Sequence, residues 1–76
     1  MSDEAIRRQL RRSAIAQLIE WVMKEEKVAL PDAVKIVYDS ALYGLIEDEA
    51  TGLYREGPVY LYDMLCEERG VTVSDK

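Results

Sequence analysis

The chain has 76 residues and a formal net charge of -5, and 49% of its residues are hydrophobic. This length supports one small domain, the apolar content excludes a disordered chain, and the acidic balance disfavours simple electrostatic binding to nucleic acid or anionic membranes. Because there is one cysteine and no histidine, no intramolecular disulfide can form and the usual zinc ligands are missing. We therefore expect a cytoplasmic protein that uses no metal or cofactor and does not contact a membrane.

The first predicted element is a long amphipathic helix from about residue 3 to residue 26. Its apolar positions recur every three or four residues and are Ile6, Leu10, Ala14, Ile15, Leu18, Ile19, Trp21 and Val22. On a helical wheel, Arg7 and Arg11 fall on nearly the same side as the core position Leu18. We therefore expect the first turns to project beyond the core or to bend away from it, and Trp21 to lie in the core.

A second helical segment is predicted over residues 31–47, with a break allowed near residue 39. Pro31 suits the first turn, where its missing N–H costs nothing, and Ser40 can cap a separate short helix. The acidic run Glu47–Glu49 opposes the helix dipole and ends the segment. We expect Tyr38 to lie in the core.

One structured loop, about residues 48–57, leads to a last helix over residues 58–69. Gly52 can turn the chain, Pro58 begins the helix and Gly70 ends it. The predicted core face of this helix comprises Val59, Leu61, Tyr62, Leu65 and Cys66. The whole is an all-α bundle of three to four helices in a single domain, residues 1–76, with a flexible tail at 71–76.

The loop and its flanks resemble a family of small bacterial proteins of unknown function found in Firmicutes and other gut bacteria. The matching residues are Ser40, Leu45, Asp48, Glu49, Thr51, Gly52, Leu53, Tyr54, Gly57, Pro58 and Tyr60. Members are sometimes encoded near ADP-ribosyltransferase-like proteins. The resemblance implies a regulatory setting of the toxin–antitoxin type and no catalytic residue.

Four arginines, Arg7, Arg8, Arg11 and Arg12, cover a broad side of the first helix near its amino end. One interpretation is a solvated face, or one paired with acids such as Glu47–Glu49 within the fold or in a second copy. The alternative is an anion-binding surface for nucleic acid or an acidic partner. We favour the first interpretation, a solvated or acid-paired face, and keep nucleic-acid binding as the alternative.

Three further residues, Tyr54, Tyr60 and Met64, are predicted to form a partner or dimer surface, because tyrosine combines apolar area with a polar tip. Cys66 lies on an apolar face without a histidine partner, so we expect a buried, inert thiol. The acidic residues show neither the spacing of a calcium loop nor a paired nucleophile. The sequence thus predicts a non-enzymatic interaction module that associates with itself or with another protein.

Overall fold

Four α-helices and two 3₁₀ turns follow one another along residues 2–70, the part of the chain that the computed structural model describes, and no strand occurs among these residues. The elements are α1 (Ser2–Glu26), α2 (Leu30–Tyr38), α3 (Ala41–Glu47), the 3₁₀ turns Glu49–Thr51 and Leu53–Arg55, and α4 (Pro58–Arg69). The all-α prediction is confirmed, and the second segment is broken after Tyr38. The tail at 71–76, predicted to be flexible, lies outside the described residues.

The helix ends follow from local chemistry. Pro31 lies in the first turn of α2, and Ser40 Oγ accepts a hydrogen bond from the Tyr43 N–H at 3.2 Å, which caps α3. Gly70 takes a left-handed φ of 77° just after α4. Lys27 takes a left-handed φ of 56° after α1, where the chain turns into α2.

A second cap on α3 comes from far along the chain. The Glu68 carboxylate accepts hydrogen bonds from the backbone N–H groups of Ala41 at 2.6 Å and Leu42 at 3.1 Å. Because the first N–H groups of a helix have no partner inside it, this carboxylate satisfies two of them with a favourable charge. The contact joins α4 to the amino end of α3.

The core lies between α1 and a layer made by the other elements. Its fully buried side chains include Leu18, Val22, Val37, Leu42, Ile46, Leu61 and Leu65. Each such aliphatic side chain contributes about 1.5–3 kcal/mol through its removal from water. This single core, which begins on α1 at Ala14, holds α1 against α2, α3 and α4.

The amino-terminal part of α1 extends beyond this core. No side chain from Asp3 to Ser13 is buried, and Ile6 and Leu10 are 54% and 41% exposed. Twelve residues of helix at 1.5 Å each make an extension of about 18 Å. The predicted projection of the first turns is confirmed, and we call residues 2–13 the arm.

Two side chains placed in the core from sequence are exposed instead. Tyr38 is 51% exposed, because it is the last residue of α2 and its ring stacks on Tyr43 with centroids 4.5 Å apart. Val59 is 54% exposed at the second position of α4, on the edge of the helix that no other element covers. Trp21 is half-buried and packs against the core, with Lys24 Nζ 5.7 Å from its ring centroid.

Candidate protein-interaction surfaces

Two of the four arginines hold the arm against the turn that follows α3. Arg7 Nε donates to Glu49 Oε1 at 3.0 Å, and Arg11 Nη1 donates to Glu49 Oε2 at 2.6 Å. Arg11 Nε lies 3.7 Å from Glu47 Oε1, too far for a hydrogen bond, and is buried without a hydrogen-bond partner among the described residues. We call these four residues the arginine–glutamate cluster. Its carboxylates neutralise Arg7 and Arg11, which lie on the same side of α1 as the core residue Leu18 but nearer the amino end.

The turn that carries Glu49 is well ordered by short hydrogen bonds. Asp48 Oδ1 accepts from the Ala50 N–H at 3.0 Å, and Thr51 Oγ1 donates to the Leu45 carbonyl at 2.6 Å. Gly52 takes a left-handed φ of 71°, which separates the two 3₁₀ turns. The acids therefore end α3, as predicted, and the turn also presents Glu49 to the arm.

The other two arginines face solvent. The side chain of Arg8 is 60% exposed and lies 4.0 Å from Glu4, and Arg12 is exposed beside Glu47 at the rim of a cavity. Arg7 and Arg11 thus pair with acidic residues of the same chain, which is the intramolecular pairing that the sequence suggested as one interpretation. An anion-binding role would be left with Arg8 and Arg12.

The three residues predicted to form a partner surface do not share one exposed surface. Tyr54 is only 5% exposed, which corrects its assignment to an exposed surface, because the 3₁₀ turn Leu53–Arg55 directs its ring into the core beside α1. Tyr60 is 51% exposed, and Met64 is half-buried against the core. Of the three, Tyr60 alone offers a largely exposed ring on α4.

A groove runs between α1 and the chain that leads into α4. Its volume is about 330 Å³, and it is lined by Leu10, Ser13, Ala14 and Gln17 on one side and by Tyr54, Arg55, Glu56 and Gly57 on the other. A second depression of about 250 Å³ continues it, lined by Gln17, Glu20, Trp21, Lys24 and Pro58. The two meet at Gln17. The sequence carries no periodic or local signal for this groove.

One side of α1 carries no charge from Ala5 to Gln17, and Asp3 and Glu20 lie on the same side beyond its two ends. The residues on this side are Ala5, Ile6, Gln9, Leu10, Ser13, Ala16 and Gln17, of which Ser13 is half-buried and the others are exposed. The four arginines of the same stretch lie elsewhere on the circumference. We call this side the uncharged face. The sequence indicates this face through the uncharged residues that are spaced between the arginine pairs.

Polar side chains connect the carboxyl end of α1 to α4. Tyr62 Oη donates to Glu26 Oε2 at 3.1 Å, and Arg69 Nη1 donates to the same oxygen at 2.5 Å. Burial raises the pKa of the Tyr62 hydroxyl, and hydrogen bonds with Cys66 and Glu26 raise the pKa further. Cys66 is 1% exposed, as a buried thiol was expected to be. This group fastens α1 to α4.

The stacked pair Tyr38 and Tyr43 lies beside a third cavity of about 320 Å³, which Arg12 and Glu47 also line. Burial raises the pKa of Tyr43, and the nearby negative charge of Glu47 adds to this. The cavity therefore combines an aromatic wall with one cation and one anion at its rim.

No family model, curated protein or solved structure matches the chain. The family resemblance given by the loop residues therefore stays a prediction. Among residues 2–70, no helix is long and apolar enough to cross a membrane. The same residues contain no group of three or more histidine, cysteine, aspartate or glutamate side chains that could hold a metal ion.

Proposed function

We propose that the chain is a non-enzymatic protein–protein interaction module that associates with a second copy of itself or with another protein. The observation that supports this most directly is the arm. It extends about three turns past the core, yet Ile6 and Leu10 remain 54% and 41% exposed on one side of it.

A short helix that lacks tertiary packing is only marginally stable in water. The arm is nevertheless fixed to the body of the protein by the arginine–glutamate cluster, through contacts of 2.6 Å and 3.0 Å to Glu49. These contacts use the charged side of the arm and leave the uncharged face outward. Depletion of charge with retention of apolar side chains is typical of the centre of a protein interface.

Tyr60 on α4 supplies an exposed aromatic ring for such contacts, in addition to the aliphatic side chains of the arm. The family resemblance adds a regulatory setting of the toxin–antitoxin type to this proposal. In that setting the chain would act in the cytoplasm by binding a protein partner, with no cofactor.

Sedimentation of the purified chain tests self-association. We expect the apparent mass to rise above the 8.7 kDa of one chain as the concentration increases from about 1 µM to about 500 µM, a range that covers weak interfaces. A constant mass of one chain over this range would contradict self-association. Co-purification of a tagged copy with a stoichiometric protein, identified by mass, would then test the remaining form of the proposal.

An anion-binding function is the second candidate, and the exposure of Arg8 and Arg12 is the observation that favours it. Replacing both with glutamate tests it, since neither side chain is buried and the fold should persist. Loss of salt-sensitive retention on heparin or RNA would support anion binding. No retention of the wild-type chain would rule it out.

A further inference from the structure

We infer that the chain forms a two-fold symmetric dimer in which the uncharged faces of two α1 helices pack antiparallel, each arm lying over the groove of the other copy. This inference rests on the proposed self-association and names the surface that carries it. The occupant of the groove is a second copy of this chain.

The projecting residues of the arm and the groove lie on one side of the same helix, α1. Ile6 and Leu10 project from the arm, and the groove begins at Leu10 and continues to Gln17. From Ile6 to Gln17 is 11 residues, or about 16 Å along the helix. In a two-fold interface the same patch serves both partners, so a projection and a groove separated along one axis can fit each other reciprocally.

The position of the two-fold axis follows from this spacing. An axis that passes close to Ser13 brings Ile6 of the second copy to the level of Glu20, which lines the second depression, since both residues lie seven positions from Ser13. The packed bodies of the two copies then lie on opposite outer sides, because the core is on the other side of α1 from the uncharged face.

The charges are compatible with this pairing. The uncharged face places no like charges opposite each other, and the charged residues that line the groove include both acids and bases, namely Glu20, Lys24, Arg55 and Glu56. Asp3 lies on the same side as Ile6, one turn nearer the amino end, and Lys24 follows Ile6 by 18 residues, which is five whole turns. An antiparallel arrangement centred near Ser13 brings Asp3 of one copy to the level of Lys24 of the other. A parallel arrangement would instead align identical charges.

Substitution of Ile6 by lysine tests this contact, with Leu30→Lys as the matched control. Both side chains are 54% exposed, so neither change should unfold the monomer, but Leu30 lies at the start of α2 and lines neither part of the groove. We expect Ile6→Lys to raise the dimer dissociation constant about tenfold or more, as for loss of a central interface residue. We expect Leu30→Lys to leave it unchanged.

A cysteine at the symmetry axis gives a second readout that does not depend on affinity. Two cysteines placed by Ser13→Cys should lie within about 4.4–6.8 Å between Cα atoms across the axis and form a disulfide-linked dimer under mild oxidation. The native Cys66 is buried, so the wild-type chain is the control and should stay unlinked, as should Leu30→Cys.

The outcomes separate the two proposals. A wild-type dimer that Ile6→Lys weakens and Ser13→Cys traps supports the α1 interface. A wild-type dimer that Ile6→Lys leaves intact, or that Leu30→Lys weakens equally, overturns the α1 interface and leaves self-association standing. A wild-type chain that stays monomeric at all concentrations overturns both.

Discussion

Arg11 Nη1 lies 2.6 Å from Glu49 Oε2, although the two residues are 38 positions apart in the chain. The Arg11 side chain is only 15% exposed, whereas that of Glu49 is 41% exposed. The contact is therefore a partly screened ion pair rather than a buried one. It ties the arm, which continues the α1 helix past the core, to the turn that follows α3.

Glu49→Gln should loosen the arm without unfolding the core. Because Glu49 is partly exposed and bonded to both Arg7 and Arg11, we expect a loss of about 0.5–1 kcal/mol in the free energy of unfolding, decreasing as salt is added. Amide hydrogen exchange should accelerate in residues 5–12 more than at Leu61 or Leu65. Asp63→Asn is the control, since Asp63 is exposed and makes no ion pair with another described residue. Equal exchange in both variants would contradict a fixing role for Glu49.

Glu68→Ala should destabilise α3 more than the neighbouring change Glu67→Ala. The Glu68 carboxylate caps two backbone N–H groups of α3, and loss of such a cap costs about 1–2 kcal/mol. Glu67 is exposed, so its replacement should change stability by less than about 0.5 kcal/mol. Urea unfolding followed by circular dichroism measures both values. A similar loss in the two variants would show that the cap contributes little.

Tyr54→Ala should destabilise the protein far more than Tyr60→Ala. Removal of the buried Tyr54 ring should cost about 3–5 kcal/mol, a large part of the roughly 4–11 kcal/mol that stabilises a domain of this size. Removal of the exposed Tyr60 ring should cost less than about 0.5 kcal/mol. Thermal unfolding distinguishes them, and a well-folded Tyr54→Ala variant would contradict the placement of this ring in the core.

The raised pKa of Tyr62 predicts a loss of stability at alkaline pH. An unfolded tyrosine titrates near 10.0, whereas the folded protein keeps the Tyr62 hydroxyl protonated above that value. Between the two pKa values the folded state binds more protons than the unfolded state, so stability is complete below pH 10 and falls as pH rises above it.

Tyr62→Phe should weaken this alkaline loss and cost about 1 kcal/mol at pH 7 through the missing hydrogen bond to Glu26. Part of the loss should remain, because the pKa of Tyr43 is also raised. Urea unfolding at pH 7, 9 and 10.5, followed by Trp21 fluorescence, provides the comparison. Tyr60→Phe serves as the exposed control, and an unchanged pH profile in Tyr62→Phe would contradict the assignment.

Helix positions could be predicted from sequence because their signals are local. Pro31, Ser40, Pro58 and Gly70 fix helix ends through backbone chemistry that depends on adjacent residues only. The projection of the arm was also predictable, since Arg7 and Arg11 interrupt the apolar side of α1. The apolar periodicity and the residues typical of helix ends therefore predicted most of the secondary structure.

Exposure at element ends and long-range polar contacts could not be predicted in this way. Tyr38 and Val59 sit at helix ends, where a wheel cannot show that no neighbour covers them. Tyr54 is buried through a 3₁₀ turn that has no periodic signature. Glu68 reaches α3 across 27 residues, and such a pairing is decided by tertiary packing.

The cap on α3 has a consequence for synthesis on the ribosome. Translation delivers α1, α2 and α3 before the residues that close the fold, since Leu61 and Leu65 complete the core and Glu68 supplies the cap. Until α4 has emerged, the inner side of α1 and the amino end of α3 lack their partners, and the nascent chain exposes apolar surface. The protein is therefore expected to fold in one late step, after α4 has left the exit tunnel.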